Sequence, residues 1–331
     1  MTNCELSIII VHYKTPDLLL DCIQSVWSNV GNLNIEVIVV DNDSGDSSED
    51  LIKTHYPQTM WINAGYNSGF ARANNKGIRE SSGTYILLLN PDSYITKGFL
   101  ESMLNIYKSE NSTRELGLLG CRVISSFDKS LLVGSGIGFP SLSKYKDANP
   151  MVIKLFRSYK KNNKKVYEPN KMHFVNHEID YVSGACVMIE KNKIDKFQLY
   201  LDEDFFLYYE DVEWSYRCKQ HGLINFFNAE VEVYHVNSAS TSKSDRKSKT
   251  IMASEWLYFF KTLSPFQFWQ MKCWVKMNYI MNKILLKRKG KVEKLKQENE
   301  KFKLFQDNIR LLKRDYTRKP SSGDNYFSHV E

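Results

Sequence analysis

Short apolar runs alternate with stretches of helical period over the first ninety residues of the chain. Leu6–His12 (LSIIIVH), Ile35–Asp41 (IEVIVVD), Met60–Asn63 and Tyr85–Asn90 (YILLLN) read as strands. Between them, Thr15-Pro16-Asp17 opens a helix running to about Ser28. Further helices fall near Glu49–His55 and over roughly Ala71–Ser81, where Ser82-Gly83 breaks the period. Strands that alternate with helices predict βαβ units and a parallel sheet. Near-continuous apolar strands predict a sheet covered on both faces.

The pattern loosens beyond Asn90. Leu116–Ser125, Asp180–Glu190 (DYVSGACVMIE) and Ile224–Val236 read as strands, and DEDFFLYYEDVEWSYRCKQHG as an acidic, aromatic helix stopped by Gly222. Ser141–Lys171 is polar, Lys-rich and without period, and reads as a loop. GSGIG, Gly134–Gly138, lacks the GxGxxG spacing and a following helix, so it reads as a turn rather than a nucleotide loop. From Ile251 the chain becomes dense in Trp, Phe, Tyr and Met broken by single lysines, and Lys294–Lys313 reads as a long solvated helix. The expected organisation is an α/β domain over 1–250 and a helical extension over 251–331.

Charge sharpens that division. The net +7 of the 331 residues arises in the extension, which holds 17 Lys+Arg against 8 Asp+Glu from residue 251 onward. A near-neutral main domain argues against nucleic acid as its ligand. Aromatics with interspersed lysines around Trp256–Lys291 fit a helix lying against an anionic membrane, or packing on the main domain, or a contact between copies of the chain. The six cysteines are scattered without a CxxC pair, which points to a reducing compartment and away from a zinc site. No run is apolar for the roughly 18 residues that a spanning helix needs, and the N-terminus lacks the basic start of a secretory signal.

Candidate chemistry gathers where strands leave the sheet, the edge at which open α/β folds bind ligands. Asp41 ends the second strand, an Asn-rich loop with Asn67 follows the third, Asn90-Pro91-Asp92 ends the fourth, and Glu210-Asp211 comes later. One such acid alone is turn chemistry; Asp43 and Asp46 are read that way, as caps. Four groups in topological order suggest one site. An acid can hold a nucleotide's base or ribose, a second can hold a divalent cation against a diphosphate, and a third can deprotonate a hydroxyl. His55, His173, His177 and His221 show no ligand spacing.

These stretches resemble an inverting family 2 glycosyltransferase of GT-A fold, nearest to the rhamnosyltransferase-like branch of bacterial polysaccharide biosynthesis. The carriers are LSIIIVHYKTPDLLLDCIQSV, EVIVVDNDSGDSS, NAGYNSGFARANNKGI, YILLLNPDSYI, DYVSGACVMIEK and FFLYYEDVEWSYRCKQHG, in the family's order from Leu6 to Val236. The resemblance implies that His12, Asp41, Asn67, Arg72, Asn90 and Asp92 face the nucleotide sugar. It implies Mg²⁺ or Mn²⁺ on Asp92 with His235, Asp211 as general base with Glu210 shaping its surroundings, and Gly184, Ala185 and Trp214 on the acceptor side. Two departures stand out: Asn90 replaces the first Asp of the usual Asp-x-Asp, and Glu190-Lys191 replaces a frequent basic pair. The implied donor is dTDP-rhamnose, with UDP-hexoses or UDP-galactofuranose behind it. The implied acceptor is a lipid-linked saccharide of surface polysaccharide (O-antigen or capsule) synthesis, met by a cytoplasmic protein held peripherally at the inner membrane face. A non-catalytic nucleotide-sugar or glycan-binding module is the alternative from another class, disfavoured because a binder needs no base.

Overall fold

In the computed structural model the described residues are 4–132, 135–149, 173–236 and 244–316. They divide into two compact units, one of residues 4–132, 135–139, 173–236 and 244–250 and the other of residues 140–149 and 251–316.

The first unit is built on a nine-stranded sheet. Its first half runs β1 (Leu6–His12), α1 (Pro16–Ser28), β2 (Ile35–Asp41), α2 (Ser48–His55), β3 (Met60–Asn63), α3 (Phe70–Glu80) and β4 (Tyr85–Leu89). Here β3, β2, β1 and β4 lie side by side and parallel, as the alternation predicts. The register aligns His12 with Asp41 and Asp41 with Asn63, so three strands end together. Period-2 alternation sends Ile8, Ile10, Val37, Val39, Leu87 and Leu89 to one face, against Leu19, Ile23 and Val26 of α1. Ile9, Val11, Ile38, Val40, Ile86 and Leu88 go to the other, against Ala71, Ala73 and Ile78 of α3. Two packed faces explain why these strands read as continuous apolar runs.

The second half contains β5 (Ser93–Tyr94), α4 (Phe99–Thr113), β6 (Leu116–Ser125), α5 (Ser143–Asp147), β7 (His177–Ile179), β8 (Cys186–Glu190), α6 (Lys191–Phe197), α7 (Glu210–Gln220) and β9 (Ile224–His235). Of these, α5 belongs to the second unit. Strand β8 runs antiparallel between β4 and β6, β6 pairs parallel with β9, and the short β5 and β7 pair antiparallel with β9, so six of the nine strands share one direction. Helix α4 is absent from the sequence reading, although Phe99, Leu100, Met103, Leu104 and Tyr107 are buried at helical spacing. The expected strand 180–190 is a strand only from Cys186. In residues 182–184 the backbone N–H groups donate to side chains instead of a neighbouring strand: Val182 to Ser215 Oγ, Ser183 to Ser135 Oγ and Gly184 to Asp211 Oδ2. The expected helix over 202–222 begins only at Glu210. Tyr208 and Tyr209, at φ 70° and 68°, are left-handed and cannot continue a right-handed helix. Of the Gly134–Gly138 turn, Gly134 lies outside the described residues, as does most of the 141–171 loop.

The second unit comprises α5, the part of α8 (Ser244–Thr262) from Ile251, α9 (Pro265–Arg288) and α10 (Val292–Asp315). Its core is aromatic. Trp256 stacks on Tyr145 at 5.2 Å and meets Phe305 at 4.8 Å, Phe260 meets Phe268 edge-on, and Tyr279 stacks on Phe302 at 4.0 Å. A capping box of Ser264 and Gln267 starts α9, satisfying two of the N–H groups that a helix start leaves open.

Candidate active site

The edge at which β1–β4 end carries the predicted residues, but side-chain packing sorts them into different roles. Asp41 turns its carboxylate onto the N–H of Ser44 at 3.2 and 3.3 Å, folding the Asn42-Asp43-Ser44 turn with Asp43 at φ 67°. An Asp tolerates that conformation better than most residues. His12, expected at the donor's base, is completely buried. Its Nε2 meets Ser48 Oγ at 2.9 Å and stands 3.6 Å from Asp46 Oδ2. Burial holds the imidazole below its ordinary pKa, the charge of Asp46 pulling the other way. With no exposed surface, His12 cannot contact a nucleotide directly and instead supports the loop beneath it. Asp46, read as a cap, accepts from Ser48 N at 3.0 Å as a cap would and also faces His12.

Asn67 is held by Asn42, a residue the sequence reading passed over. Asn42 is buried; its amide donates to Asn67 Oδ1 at 3.0 Å and to Gly69 O at 3.3 Å, and its Oδ1 accepts from Ser68 N and Oγ. This network fixes the loop after β3 against the turn after β2. Gly69, at φ 83°, then starts α3, and a Cβ there would stand 2.5 Å from the carbonyl of Phe206. That carbonyl accepts from Phe70 N at 2.8 Å. The start of α3 is thereby tied to the loop that leads into α7. Arg72 bonds Tyr66 Oη at 2.9 Å and lies 3.4 Å from Glu203. Glu203, also missed in the sequence, accepts from Asn75 and Arg79, each at 3.0 Å. Asp, Asn and Glu in polar loops carry no periodic signal, so these partners emerge only once the chain is folded.

Asn90, Asp92 and His235 meet as the spacing could not show. The two-residue pairing of β5 with β9 sets Ser93 against His235. His235 Nε2 is then 3.0 Å from Asp92 Oδ1 and 3.2 Å from the Asn90 amide. One carboxylate, one imidazole and one amide form half of a coordination sphere for a hard divalent cation, which commonly takes its other ligands from phosphate and water. Among the described residues no cluster of three or more ionisable ligands exists, so the group fits a cation only as one shared with a bound diphosphate.

Across β8, Gly184 N donates to Asp211 Oδ2 at 2.9 Å, while Val212 N donates to Oδ1 at 2.8 Å. Gly184 is buried and Ala185 half-buried, and the Ala185 carbonyl accepts from Asn90 N at 3.0 Å. These backbone bonds link the Asn90–Asp92 corner to the Asp211 helix start. Glu210 is buried beside Asp211, and its Oε2 has no hydrogen-bond partner. Burial and then the Asp211 charge push the Glu210 carboxyl well above the ordinary range. Asp211 is also raised by burial, against the pull of its two N–H donors. Two N–H donors on Asp211 and no partner on Glu210 Oε2 favour the charge on Asp211 and the proton on Glu210. The α7 N-terminus favours that charge further. Two adjacent left-handed tyrosines lead into this pair, and strain of this kind clusters at functional positions.

Trp214 is a correction. Its indole is 1% exposed in the core below α7 and donates to Leu199 O at 2.5 Å, so it does not line an acceptor surface. It occupies the inward face of α7 with Cys218, whereas Asp211 is at the helix start.

The family model described as Glycosyl transferase family 2 matches residues 7–197. The chain belongs to that family. The α/β sheet with flanking helices is therefore the expected GT-A arrangement, followed by C-terminal helices. Among curated proteins, the low-salt glycan biosynthesis hexosyltransferase Agl10 of Haloferax volcanii is 30% identical over 66% of this chain and 63% of its own length. The poly(ribitol-phosphate) beta-glucosyltransferase of Bacillus spizizenii is 33% identical over 45% of this chain, which spans 22% of that protein. The N-acetylglucosaminyl-diphospho-decaprenol L-rhamnosyltransferase of Mycobacterium tuberculosis is 21% identical over 63% of this chain and 69% of its own. Among the described residues no helix is long and apolar enough to cross a membrane.

Proposed function

We propose that the protein moves a sugar from a nucleoside-diphosphate donor to a hydroxyl with inversion at the anomeric carbon. The observation that supports this reading is the unequal pair at the start of α7: Asp211, whose carboxylate accepts from two backbone N–H groups, beside a buried Glu210 whose Oε2 has no hydrogen-bond partner. Asp211 takes the proton of the acceptor O–H as the oxygen bonds to the anomeric carbon, and the bond from that carbon to the diphosphate oxygen breaks. A raised carboxyl is a better base near neutral pH than an ordinary one. Asp92, His235 and Asn90 would hold the divalent cation, which when bound neutralises charge on the departing diphosphate. Asp41, the Asn42–Asn67 network and Arg72 shape the donor side, and Gly184 with Ala185 the acceptor side.

For the donor, the rhamnosyltransferase-like motifs favour dTDP-rhamnose, with UDP-hexoses and UDP-galactofuranose as alternatives, and the mycobacterial relative, named for L-rhamnosyl transfer, supports the sugar. The acceptor is proposed to be a lipid-linked saccharide of surface glycan synthesis, reached from the inner membrane face. The test is a panel of nucleotide sugars incubated with purified protein, scored for binding and for slow release of nucleoside diphosphate. One donor bound and hydrolysed supports transfer; a donor bound and never turned over, with or without acceptors, indicates the binding-module reading.

A further inference from the structure

Helix α9 shows two apolar faces. One packs inside its own unit, where Phe268 and Met271 are buried and Tyr279 stacks on α10. The other is open. Phe266, Trp269, Cys273, Met277, Ile280 and Ile284 recur every three or four residues, the spacing of a single helical stripe. All six are exposed, Phe266 by 64% and Trp269 by 55%, and these two rings stack at 5.8 Å. A continuous apolar stripe of this length is unusual on a soluble surface and marks something that binds there.

The charge pattern selects the occupant. At 100° per residue, Lys272, Lys276, Lys283 and Lys287 fall along one flank of the stripe, and Arg288, Lys289 and Lys291 close its C-terminal end. From Pro265 to Val292 the sequence contains no Asp or Glu. Two copies of this face pressed together would set these lysines against each other with no acid on either helix. A surface of anionic lipid headgroups meets both requirements: acyl chains for the stripe and phosphates for the lysines. We infer that the exposed face of α9 is a docking surface for an anionic bilayer, with Phe266 and Trp269 at one end and the basic cluster at the other. This narrows the broad Trp256–Lys291 expectation. Trp256, Tyr258, Phe259 and Phe260 are buried, and the lipid-facing residues begin at Phe266.

The inference deepens the membrane contact proposed above and is independent of the chemistry at Asp211. The full chain is sedimented with vesicles of phosphatidylcholine alone or mixed with phosphatidylglycerol. Binding is expected only to the mixed vesicles and is expected to weaken as salt rises. Trp269→Glu with Ile280→Glu, both on the open face, should abolish sedimentation with the far-UV circular dichroism unchanged. Lys276→Gln with Lys287→Gln should weaken binding about twenty-fivefold, at about fivefold per cation. Donor hydrolysis by the same samples in vesicle-free buffer should be unchanged, which separates a failure here from a failure of the proposed activity. Equal binding by wild type and the Trp269/Ile280 variant, no binding to mixed vesicles, or a dimer dissociated by those substitutions would each overturn the inference.

Discussion

Replacing Glu210 by Gln isolates the pair at the heart of the site. In the folded chain the carboxyl is buried, one oxygen lacks a partner, and Asp211 adds a like charge, so its pKa is raised well above that of the unfolded chain. A raised carboxyl keeps its proton in the folded state while the unfolded state releases it. Its contribution to stability is therefore complete below about pH 4.5 and is lost progressively as pH rises toward the folded pKa. Within that window the Glu210 carboxyl removes up to about 1.4 kcal/mol per pH unit from the wild type, a loss that the Glu210→Gln variant does not suffer because its amide does not titrate. For a domain of this size that is a difference in Tm of roughly 3–5 °C per pH unit. Both side chains leave a buried polar atom unsatisfied, so the two proteins should be nearly equal in stability at pH 4. The assay is thermal unfolding of both proteins from pH 4 to 8, read as the difference in Tm, which cancels the titrations of groups remote from the pair. A difference that widens with pH in favour of Glu210→Gln is expected. Parallel curves would refute the assignment of the shared proton to Glu210.

Other consequences can be checked on the same protein. Gly69→Ala forces an L residue into φ 83° and its Cβ to 2.5 Å from Phe206 O. It should disturb the loop leading to α7 and lower turnover by more than about tenfold, with a loss of about 1–3 kcal/mol in urea unfolding. Glu203→Ala leaves Arg72, Asn75 and Arg79 without their common acceptor. Because Arg79 is partly solvated, the expected loss is about 2–3 kcal/mol, below that of a fully buried pair, together with a higher KM for the donor. Asp92→Ala should remove metal-stimulated turnover, and EDTA should inhibit the wild type but not reduce the residual rate of that variant. Turnover of the wild type untouched by EDTA would reassign Asp92 and His235 to ribose or acceptor contacts.

Regions covered on both faces were the most legible from sequence. In β1, β2 and β4 the continuous apolar run and the polar residue that stops it are local facts, and burial follows from them. Helix α4 has the right period, but Ser, Asn, Lys and Glu dilute FLESMLNIYKSENST, and no capping residue announces it. The apolar composition of 180–190 suits a strand, and Cys186–Glu190 is one, whereas the N–H groups of 182–184 are taken by Ser215, Ser135 and Asp211 from distant segments. At the site, the strand-end acids and Asp211 could be found from order along the chain. The convergence of His235 on Asp92 depends on a two-residue antiparallel pairing that no local pattern encodes. His12 and Trp214 show the converse: position in a motif gave their neighbourhood, and only packing revealed that both point inward.

The most direct test of the central claim compares wild type with Asp211→Asn. The amide keeps the shape of the side chain and one of its two backbone acceptor contacts, so donor binding should stay within about twofold while transfer to acceptor falls by about 10²–10⁴-fold, the usual contribution of a general base. Binding can be followed by calorimetry with the preferred nucleotide sugar and transfer by release of nucleoside diphosphate. Transfer at near wild-type rate in Asp211→Asn would contradict the account and move the base elsewhere.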